Sequence, residues 1–455
     1  MGCTGTSVMR SVKKVNRGCR SNISNFDGRI TYLQSNIPVM TKRKADATII
    51  TIGNELLIGQ TIDTNSAWMA QELNKIGIWV HRRLAIGDTW EDIWNALDQE
   101  QRTSDIILIT GGLGPTADDI TKPLLCQYFG GTLVVDPEAL ANVKHIFETM
   151  NRPLIQRNLK QAEVPDVCKV IQNKRGTAPG MWFEKGGKIF VSMPGVPHEM
   201  KGMMMHHVLP DLQEQFQLPP IVHRTLVTAG IGESFLAERI QEFEATLPAN
   251  ISLAYLPNYG MVKLRLTTRG DDPRMAAELE AEFDMLKQLL TDVMVVDDDK
   301  TMPEVIADIM TKKGLTLSTA ESCTGGYIAH LLTSIPGSSA YYLGGVVSYA
   351  NKVKEQILGV QHETLASHGA VSSETVLEMA RGILAETGSD FAIATSGIMG
   401  PDGGSAEKPV GTVWVGIATK DRESASHFQF RFDRQRNIEL TANHGLNALR
   451  KFILQ

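Results

Sequence analysis

The chain has 455 residues, which is enough for about three domains of ordinary size. Hydrophobic residues make up 42% of it and charged residues 21%, as in globular proteins, and no apolar run reaches the roughly 18 residues of a membrane helix. Its five cysteines form no CxxC pair, which argues against a disulfide framework or a structural zinc site. We therefore expect a cytoplasmic protein without a membrane partner.

Charge is distributed unevenly along the chain. Residues 1–45 hold nine of the 45 Lys and Arg residues but only one acid, Asp27, so residues 46–455 carry 36 basic and 50 acidic side chains. An acidic folded part is a poor electrostatic match for nucleic acid, and we expect no direct nucleic-acid partner. Residues 1–44 show no helix or strand periodicity, so we interpret them as a disordered or mis-started extension in preference to a targeting signal.

Residues 45–217 alternate strands and helices. An apolar run at 47–52, a strand at 79–86 and an apolar run at 105–110 are separated by two helical patterns, the second of which Thr89 caps. This series predicts a parallel sheet covered by helices. Ligands of such sheets bind at the carboxyl ends of the strands.

Two polar clusters follow the first and third of these strands. Glycines in the second cluster allow backbone N–H groups to approach a phosphate, and adjacent carboxylates suit a divalent cation such as Mg²⁺ on a diphosphate. Acids are equally favoured in the first turn of a helix without any ligand, so both interpretations stay open. The predicted phosphate or metal residues are Asn54, Glu55, Asp63, Gly111, Gly112, Gly114, Thr116, Asp118 and Asp119, with the last two as metal ligands.

A boundary at Leu218-Pro219-Pro220 opens a smaller α+β segment, residues 218–297. The alternation of apolar and polar residues at 261–268 predicts a half-exposed strand. The sequence Gly230-Ile231-Gly232 is more typical of a strand-to-helix turn than of a phosphate site, and the segment has no GxxG nucleic-acid loop. We interpret it as a spacer.

Residues 298–455 form the third part, where Thr301 and Glu304 predict a capping box at the first helix. A strand then delivers Ser322 to the start of the next helix, within the turn Glu321-Ser322-Cys323-Thr324-Gly325-Gly326. A serine in such a turn suits a nucleophile or a phosphate ligand, but a simple helix cap has the same pattern.

A second cluster combines Ser338 and Ser339 with Tyr349 and Lys354. A lysine near a serine acts as a general base only when desolvation or neighbouring cations lower its pKa, and a tyrosine between them can relay the proton. Most lysines at such positions are solvated helix residues. An arginine at the start of the last helix, where the helix dipole opposes it, indicates a bound anion.

The motifs GGLGPT-x-DD-x-T, GNELL-x-G and MPGVPHEM resemble the N-terminal domain of CinA-like proteins. The resemblance implies a three-layer, molybdopterin-binding-like α/β domain, and some relatives are credited with metal-dependent hydrolysis of ADP-ribose there. It thus implies a divalent metal of the Mg or Co type for this domain. It also implies that the connector is a small KH-like α+β domain.

The motifs AESCTGG, GSS, SYANKVK, TSGIMGPDGG and KPVGTV resemble the C-terminal domain of the same family, an α/β nicotinamide-nucleotide amidase without a cofactor. The resemblance assigns catalysis to Ser339, Tyr349 and Lys354, with Ser322 as the alternative nucleophile. The implied substrate pocket consists of Thr324, Gly325, Ser396, Gly397 and either Arg434 or Arg436. Met399 and Phe432 depart from the family pattern, which has Ala and Gly there, and the second departure leaves the two arginines open.

The activity that the resemblance implies is hydrolysis of nicotinamide mononucleotide to nicotinate mononucleotide and ammonia. Small-molecule nucleotides are the expected partners, and a homodimer is the expected assembly. Two alternatives stay open: an ADP-ribose diphosphatase whose C-terminal domain is inert, and a non-enzymatic partner of competence proteins.

Overall fold

The computed structural model describes residues 45–116 and 118–455. The expectation for residues 1–44 lies outside the described residues. In the described ranges, no helix is both long and apolar enough to cross a membrane. Three separate sheets follow one another along the chain, together with a short two-stranded ribbon.

The first sheet has six strands in the order β2-β1-β3-β8-β7-β6. Its strands, and the ribbon β4–β5, are β1 (Asp46–Ile52), β2 (Trp79–Ile86), β3 (Ile106–Thr110), β4 (Leu133–Val135), β5 (Glu163–Pro165), β6 (Lys169–Ile171), β7 (Gly180–Lys185) and β8 (Lys188–Met193). The helices are α1 (Asn54–Leu57), α2 (Thr64–Lys75), α3 (Trp90–Glu100), α4 (Thr121–Phe129), α5 (Pro137–Thr149), α6 (Gln156–Leu159), α7 (Pro197–Met203) and α8 (Leu209–Gln215). Strands β2, β1, β3 and β8 are parallel, as predicted, and β7 and β6 extend the sheet in antiparallel fashion.

Helices cover both faces of this sheet. Ile49 of β1 packs in one core cluster with Met69 and Leu73 of α2, whereas its neighbour Ile50 packs in another with Ile93 and Leu97 of α3. A strand that is buried on both faces has a continuous apolar sequence, which explains the run at 47–52. The domain therefore has three layers.

The second sheet is antiparallel, in the order β10-β11-β9-β12. Its elements are β9 (Ile221–Ala229), α9 (Glu233–Arg239), α10 (Gln241–Thr246), β10 (Ile251–Asn258), β11 (Met261–Arg269), α11 (Pro273–Leu289) and β12 (Met294–Val296). The predicted alternation in β11 is confirmed, because Val262, Leu264 and Leu266 are buried and the intervening Lys263, Arg265 and Thr267 are partly exposed.

The connector is more than a spacer. Val227 and Met261 are buried in the same core cluster as Val413 and Leu440 of the C-terminal part. His223 Nε2 lies 2.7 Å from Asn74 Oδ1 of the first domain. The segment thus contributes buried apolar surface to the C-terminal core, which the sequence did not predict.

The third sheet has the order β14-β13-β15-β16-β17. Its elements are α12 (Met302–Lys313), β13 (Leu317–Glu321), α13 (Tyr327–Thr333), β14 (Tyr342–Val347), α14 (Asn351–Leu358), α15 (His362–His368), α16 (Ser373–Thr387), β15 (Phe391–Gly397), β16 (Thr412–Ala418), β17 (Glu423–Gln429) and α17 (Arg434–Leu454). Strands β14, β13 and β15 are parallel, and β16 and β17 are antiparallel. The capping box at Thr301 and Glu304 is confirmed. Loops that follow β13, β14 and β15 therefore meet at one edge.

Candidate active site

A cavity of 240 Å³ lies at the carboxyl edge of β13, β14 and β15. Its walls come from the loops after these strands, the start of α14, the loop before α16 and the start of α17. The lining residues are Ser322, Cys323, Tyr349, Asn351, Lys354, Ala370, Val371, Ser396, Gly397, Met399 and Arg434.

Lys354 is the most unusual side chain of this cavity, because only 1% of it is exposed. Its Nζ lies 3.0 Å from Ser322 Oγ, 2.7 Å from the carbonyl oxygen of Ser348 and 3.4 Å from that of Tyr349. No carboxylate of the described residues forms an ion pair with it, so its environment is neutral oxygen atoms and burial. Helix α14 delivers this lysine beneath the end of β14.

Burial lowers the pKa of Lys354 below its ordinary value, because the charged amine loses hydration in the protein interior. A neutral amine keeps two N–H groups and one lone pair. The carbonyl oxygens of Ser348 and Tyr349 can accept those two N–H groups, which leaves the lone pair for the proton of Ser322. The geometry is that of a serine–lysine nucleophile and base.

Ser322 occupies the turn between β13 and α13. Gly325 and Gly326 adopt φ values of +61° and +97°, which residues with a Cβ rarely adopt, so the turn depends on glycine there. The Ser322 N–H donates to the Thr395 carbonyl, and the Gly325 N–H donates to the Ser322 carbonyl. Burial raises the pKa of the neighbouring Cys323 thiol to about 12, so this cysteine is an unreactive thiol and does not compete as nucleophile.

Ser339 lies at the other end of the sheet. It belongs to the 3₁₀ turn Ser338–Ala340, which leads into β14, whereas Lys354 follows the far end of that strand. The strand, at about 3.3 Å per residue, separates the two positions by roughly 20 Å within one chain. Within one chain, the structure therefore brings Lys354 to Ser322, the alternative nucleophile, and not to Ser339 as predicted.

Tyr349 does not lie between the serine and the lysine. Its hydroxyl accepts a hydrogen bond from Arg434 (2.9 Å), while Lys354 reaches Ser322 directly, so the predicted proton relay is not needed. Arg434 also donates to the Gly400 carbonyl and lines the cavity. Arg436 instead stacks on Phe432, with its guanidinium 4.1 Å from the ring centroid, and does not line the cavity. Of the two arginines, the structure thus brings Arg434 to the site.

Two predicted pocket hydroxyls serve the fold of the walls. Ser396 Oγ donates to the Ala370 carbonyl, and Thr324 Oγ1 lies 2.7 Å from Thr395 Oγ1. Gly397 is required because a Cβ there would lie 2.8 Å from the carbonyl oxygen of Thr412. Gly325 shapes the turn, as described above, rather than lining the cavity.

Three lining residues, Asn351, Ala370 and Val371, carry no chemical signature in the sequence. Ala370 and Val371 lie in an ordinary loop before α16, which reaches the cavity because Ser396 holds it there. Only the spatial neighbourhood identifies such residues.

Part of the site predicted in the first domain forms hydrogen bonds within its own loop. Asp119 accepts the N–H groups of Gly114 and Thr116 at 2.8 Å each, and Thr116 Oγ1 donates to it as well. Gly111 and Gly112 adopt φ values of +117° and +65°. The loop is therefore closed on the carboxylate of Asp119. Asp118 and Asp119 precede Ile120, the N-cap of α4, so they do not occupy the first helical turn in which the interpretation without a ligand had placed them.

The other predicted residues of that site are spread around the same edge. Asp63 caps α2 by accepting the Ser66 N–H, and Asn54 donates its side-chain amide to Asp88. Glu55 and Asp118 are exposed, and hydrogen bonding from Thr116 lowers the pKa of Asp118. Among residues 45–116 and 118–455, no group of three or more His, Cys, Asp or Glu side chains is arranged to hold a metal ion.

The motif-based resemblance agrees with comparisons to known proteins. A family model described as the CinA C-terminal domain matches residues 299–453, a probable molybdopterin binding domain matches residues 48–214, and a damage-inducible protein CinA KH domain matches residues 223–290. A CinA-like protein of Cytophaga hutchinsonii is 44% identical over 406 residues, which cover 89% of this chain and 97% of that protein. The chain belongs to the CinA family.

Other members are similar over comparable lengths. A putative competence-damage inducible protein of Caldicellulosiruptor bescii is 42% identical over 90% of this chain and 99% of its own length. The solved competence/damage inducible protein of Agrobacterium tumefaciens is 42% identical, covers 34% of this chain and 93% of its own, and has a TM-score of 0.33. The relatives that match over nearly the full chain establish the CinA family, and they leave the reaction to be argued from the site.

Proposed function

We propose that the C-terminal domain hydrolyses the carboxamide of nicotinamide mononucleotide and releases nicotinate mononucleotide and ammonia. The observation that supports this most is the 3.0 Å contact between Ser322 Oγ and the buried Nζ of Lys354. A serine with a desolvated lysine as its base is equipped for acyl transfer from an amide. The family resemblance supplies the choice of amide.

In the first step, Lys354 takes the proton of Ser322 while Oγ attacks the carboxamide carbon. The tetrahedral intermediate then collapses as the protonated lysine returns the proton to the leaving nitrogen, and ammonia departs. Water, deprotonated by the same lysine, attacks the ester and frees Ser322 and the carboxylate product. The positive pyridinium ring of the substrate makes the carboxamide carbon more electrophilic, which suits a base of moderate strength.

The turn around Ser322 offers donors for the oxyanion of the intermediate. The N–H groups of Ser322 and Gly325 are used within the fold, whereas those of Cys323 and Thr324 have no backbone acceptor in the described part of the chain. We assign these two N–H groups to the oxyanion, since preorganised donors at this point stabilise the developing charge.

Arg434 is the proposed phosphate ligand. Its guanidinium donates to two neutral acceptors, the Gly400 carbonyl and the Tyr349 hydroxyl, and no carboxylate of the described residues neutralises it. A planar guanidinium whose charge is not neutralised by a carboxylate can donate two hydrogen bonds to two oxygens of a phosphate. The proposed steps use side chains and water, so we propose that the amidase needs no cofactor and is insensitive to EDTA.

The test is ammonia release from nicotinamide mononucleotide by the purified full chain, compared with Ser322→Ala and Ser339→Ala. Ser322→Ala should lose activity by on the order of 10³-fold or more, as expected when a nucleophile is removed. Ser339→Ala should retain it, because this side chain is exposed at the opposite edge of the sheet. Loss of activity in Ser339→Ala with an active Ser322→Ala enzyme would reverse the assignment.

A further inference from the structure

Glu321 is a buried acid immediately before the proposed nucleophile. It is the last residue of β13, and only 1% of it is exposed. No lysine or arginine of the described residues forms an ion pair with it, although an isolated buried carboxylate is costly. Its surroundings must therefore compensate its charge in another way.

Three backbone N–H groups provide that compensation. Glu321 Oε2 accepts the N–H groups of Gly326 and Ile328 at 3.0 Å each, and Oε1 accepts that of Ala329 at 2.8 Å. These are first-turn donors of α13, which have no acceptor inside the helix. The positive end of the helix dipole also favours a negative charge there.

The backbone of Glu321 connects to the lysine on its other side. Its carbonyl accepts the Ser348 N–H at 2.8 Å, and the carbonyl of Ser348 accepts Lys354 Nζ at 2.7 Å. Glu321 thus holds the start of α13 through its side chain. Through its main chain it holds Ser348, whose carbonyl oxygen accepts Lys354 Nζ. Ser322 lies in the turn between these two anchors.

We propose that Glu321 is a positioning residue for the amidase reaction, which fixes Ser322 Oγ against Lys354 Nζ and holds the oxyanion donors of the turn. The proposal rests on the proposed function. Glu321 does not itself move protons, because both of its oxygens are occupied by N–H donors. Its contribution is the geometry of the turn, whose Gly325 and Gly326 have no side chains to fix it.

Glu321→Gln tests this with almost no change in volume. An amide has one acceptor oxygen, so its NH₂ group must face at least one of the three N–H donors, and the turn should shift. Glu304→Gln is the matched control: Glu304 also accepts an N–H at a helix start, that of Thr301 at 2.7 Å, but it belongs to α12, which contributes no residue to the cavity. Glu321→Gln should lower Tm, because one N–H group at the start of α13 loses its acceptor. Glu304→Gln should change Tm little, because its amide oxygen can still accept the Thr301 N–H.

Steady-state ammonia release from nicotinamide mononucleotide is measured well below the Tm of each variant. Glu321→Gln should lower kcat by on the order of 10–100-fold with little change in KM, since misplacement of reacting atoms by about 1 Å costs a factor of this order. Glu304→Gln should leave kcat unchanged. A Glu321→Gln enzyme with a lower Tm but wild-type kcat would overturn the proposal, because Glu321 would then be a helix cap only.

A second measurement separates this proposal from the choice of substrate. Phenylmethanesulfonyl fluoride sulfonylates an activated serine. The serine oxygen displaces fluoride at sulfur, and the proton of the hydroxyl passes to the base. Labelling of Ser322, followed by mass spectrometry, should be slower in Glu321→Gln and in the milder Glu321→Asp, and absent in Ser322→Ala. Slowed labelling with no ammonia release from wild type would reject the substrate but support the positioning, whereas unchanged labelling would reject the positioning.

Discussion

Among the described residues two lysines are buried, one in each α/β domain. Lys122 of α4 donates to the carbonyl oxygens of Lys160 and Gln161, and burial lowers its pKa to about 8. Lys354 of α14 likewise donates to two carbonyl oxygens, and burial lowers its pKa. Desolvation of an amine is therefore common to both domains and does not by itself make a catalytic site.

The two lysines differ in one further contact of the amine. Lys354 reaches the hydroxyl of Ser322, whereas Lys122 donates to carbonyl oxygens, which have no proton to give. Lys122 also lies near the carboxylates of Glu163 and Asp119, which favour its charged form. The comparison shows that a base requires both a lowered pKa and a partner with a transferable proton.

The largest expected effect comes from removing the two amines in turn. Lys354→Ala should reduce kcat by on the order of 10²–10⁴-fold with little change in KM, the range for loss of a general base. Lys354→Arg should not restore the rate, because a guanidinium stays protonated near neutral pH. Lys122→Ala should lower Tm and leave kcat for ammonia release unchanged. An active Lys354→Arg enzyme would show that the residue acts only as a fixed charge.

Much of the fold follows from local patterns in the sequence. The continuous apolar run of β1 and the alternation of β11 indicate burial on two faces and on one face, and the structure confirms both. The pairing of Ser322 with Lys354 does not follow from such patterns, because the two residues are 32 positions apart and meet only through the parallel register of β13 and β14. Ser339 is nearer to Lys354 in sequence, but a strand lies between them.

The surroundings of Glu321 do not follow from the local sequence either. A glutamate at the end of a strand is usually read as solvated, and nothing in its neighbours predicts that three N–H groups of α13 surround it. Asp119 shows the reverse case: its position beside a glycine-rich loop suggested a metal ligand, and the structure gives its oxygens loop N–H groups. The local sequence shows which acids lie near turns, but it does not show which N–H groups donate hydrogen bonds to them.

The two arginines of α17 sharpen the comparison at the level of binding. Arg434→Ala should raise KM for nicotinamide mononucleotide by on the order of 10–100-fold with a smaller effect on kcat, since a charged hydrogen bond contributes about 1.5–3 kcal/mol. Arg436→Ala should change neither constant, because Arg436 stacks on Phe432 outside the cavity. Steady-state kinetics of the two variants decide which arginine binds the phosphate. An increased KM in Arg436→Ala alone would assign the phosphate to Arg436 in place of Arg434.

The pH dependence of the reaction reports the state of Lys354. The lysine acts as a base only when neutral, so activity is present above its pKa and is lost as pH falls through it. Burial lowers that pKa, and kcat/KM should therefore reach its plateau at a pH below the ordinary lysine value of about 10.4. The profile is measured with the full chain, and a rate that stays level on the acidic side would exclude a titrating base.

A smaller effect is expected from removing the connector. A fragment that begins at Thr301 contains every residue of the cavity, so it should release ammonia without added metal. It lacks Val227 and Met261, whose packing against the C-terminal core is lost, and its Tm should be lower than that of the full chain. Differential scanning calorimetry and ammonia assays test the two statements separately, and a stable but inactive fragment would mean that the first 300 residues take part in the reaction.

The smallest effect on the amidase is expected from the turn of the first domain. Asp119→Asn removes one of the two carboxylate oxygens that accept the Gly114 and Thr116 N–H groups, so it should destabilise this domain by about 1–2 kcal/mol. Asp118→Asn, at the exposed neighbour, should cost less, and neither variant should change kcat for nicotinamide mononucleotide.

Thermal unfolding with and without Mg²⁺ or Co²⁺ then separates the two roles of the acids. A cation that binds only the native state raises Tm, and such a shift in wild type, lost in both variants, would establish Asp118 and Asp119 as metal ligands. If Asp119 serves only to close the loop, metal leaves Tm unchanged, and Asp119→Asn lowers Tm more than Asp118→Asn does.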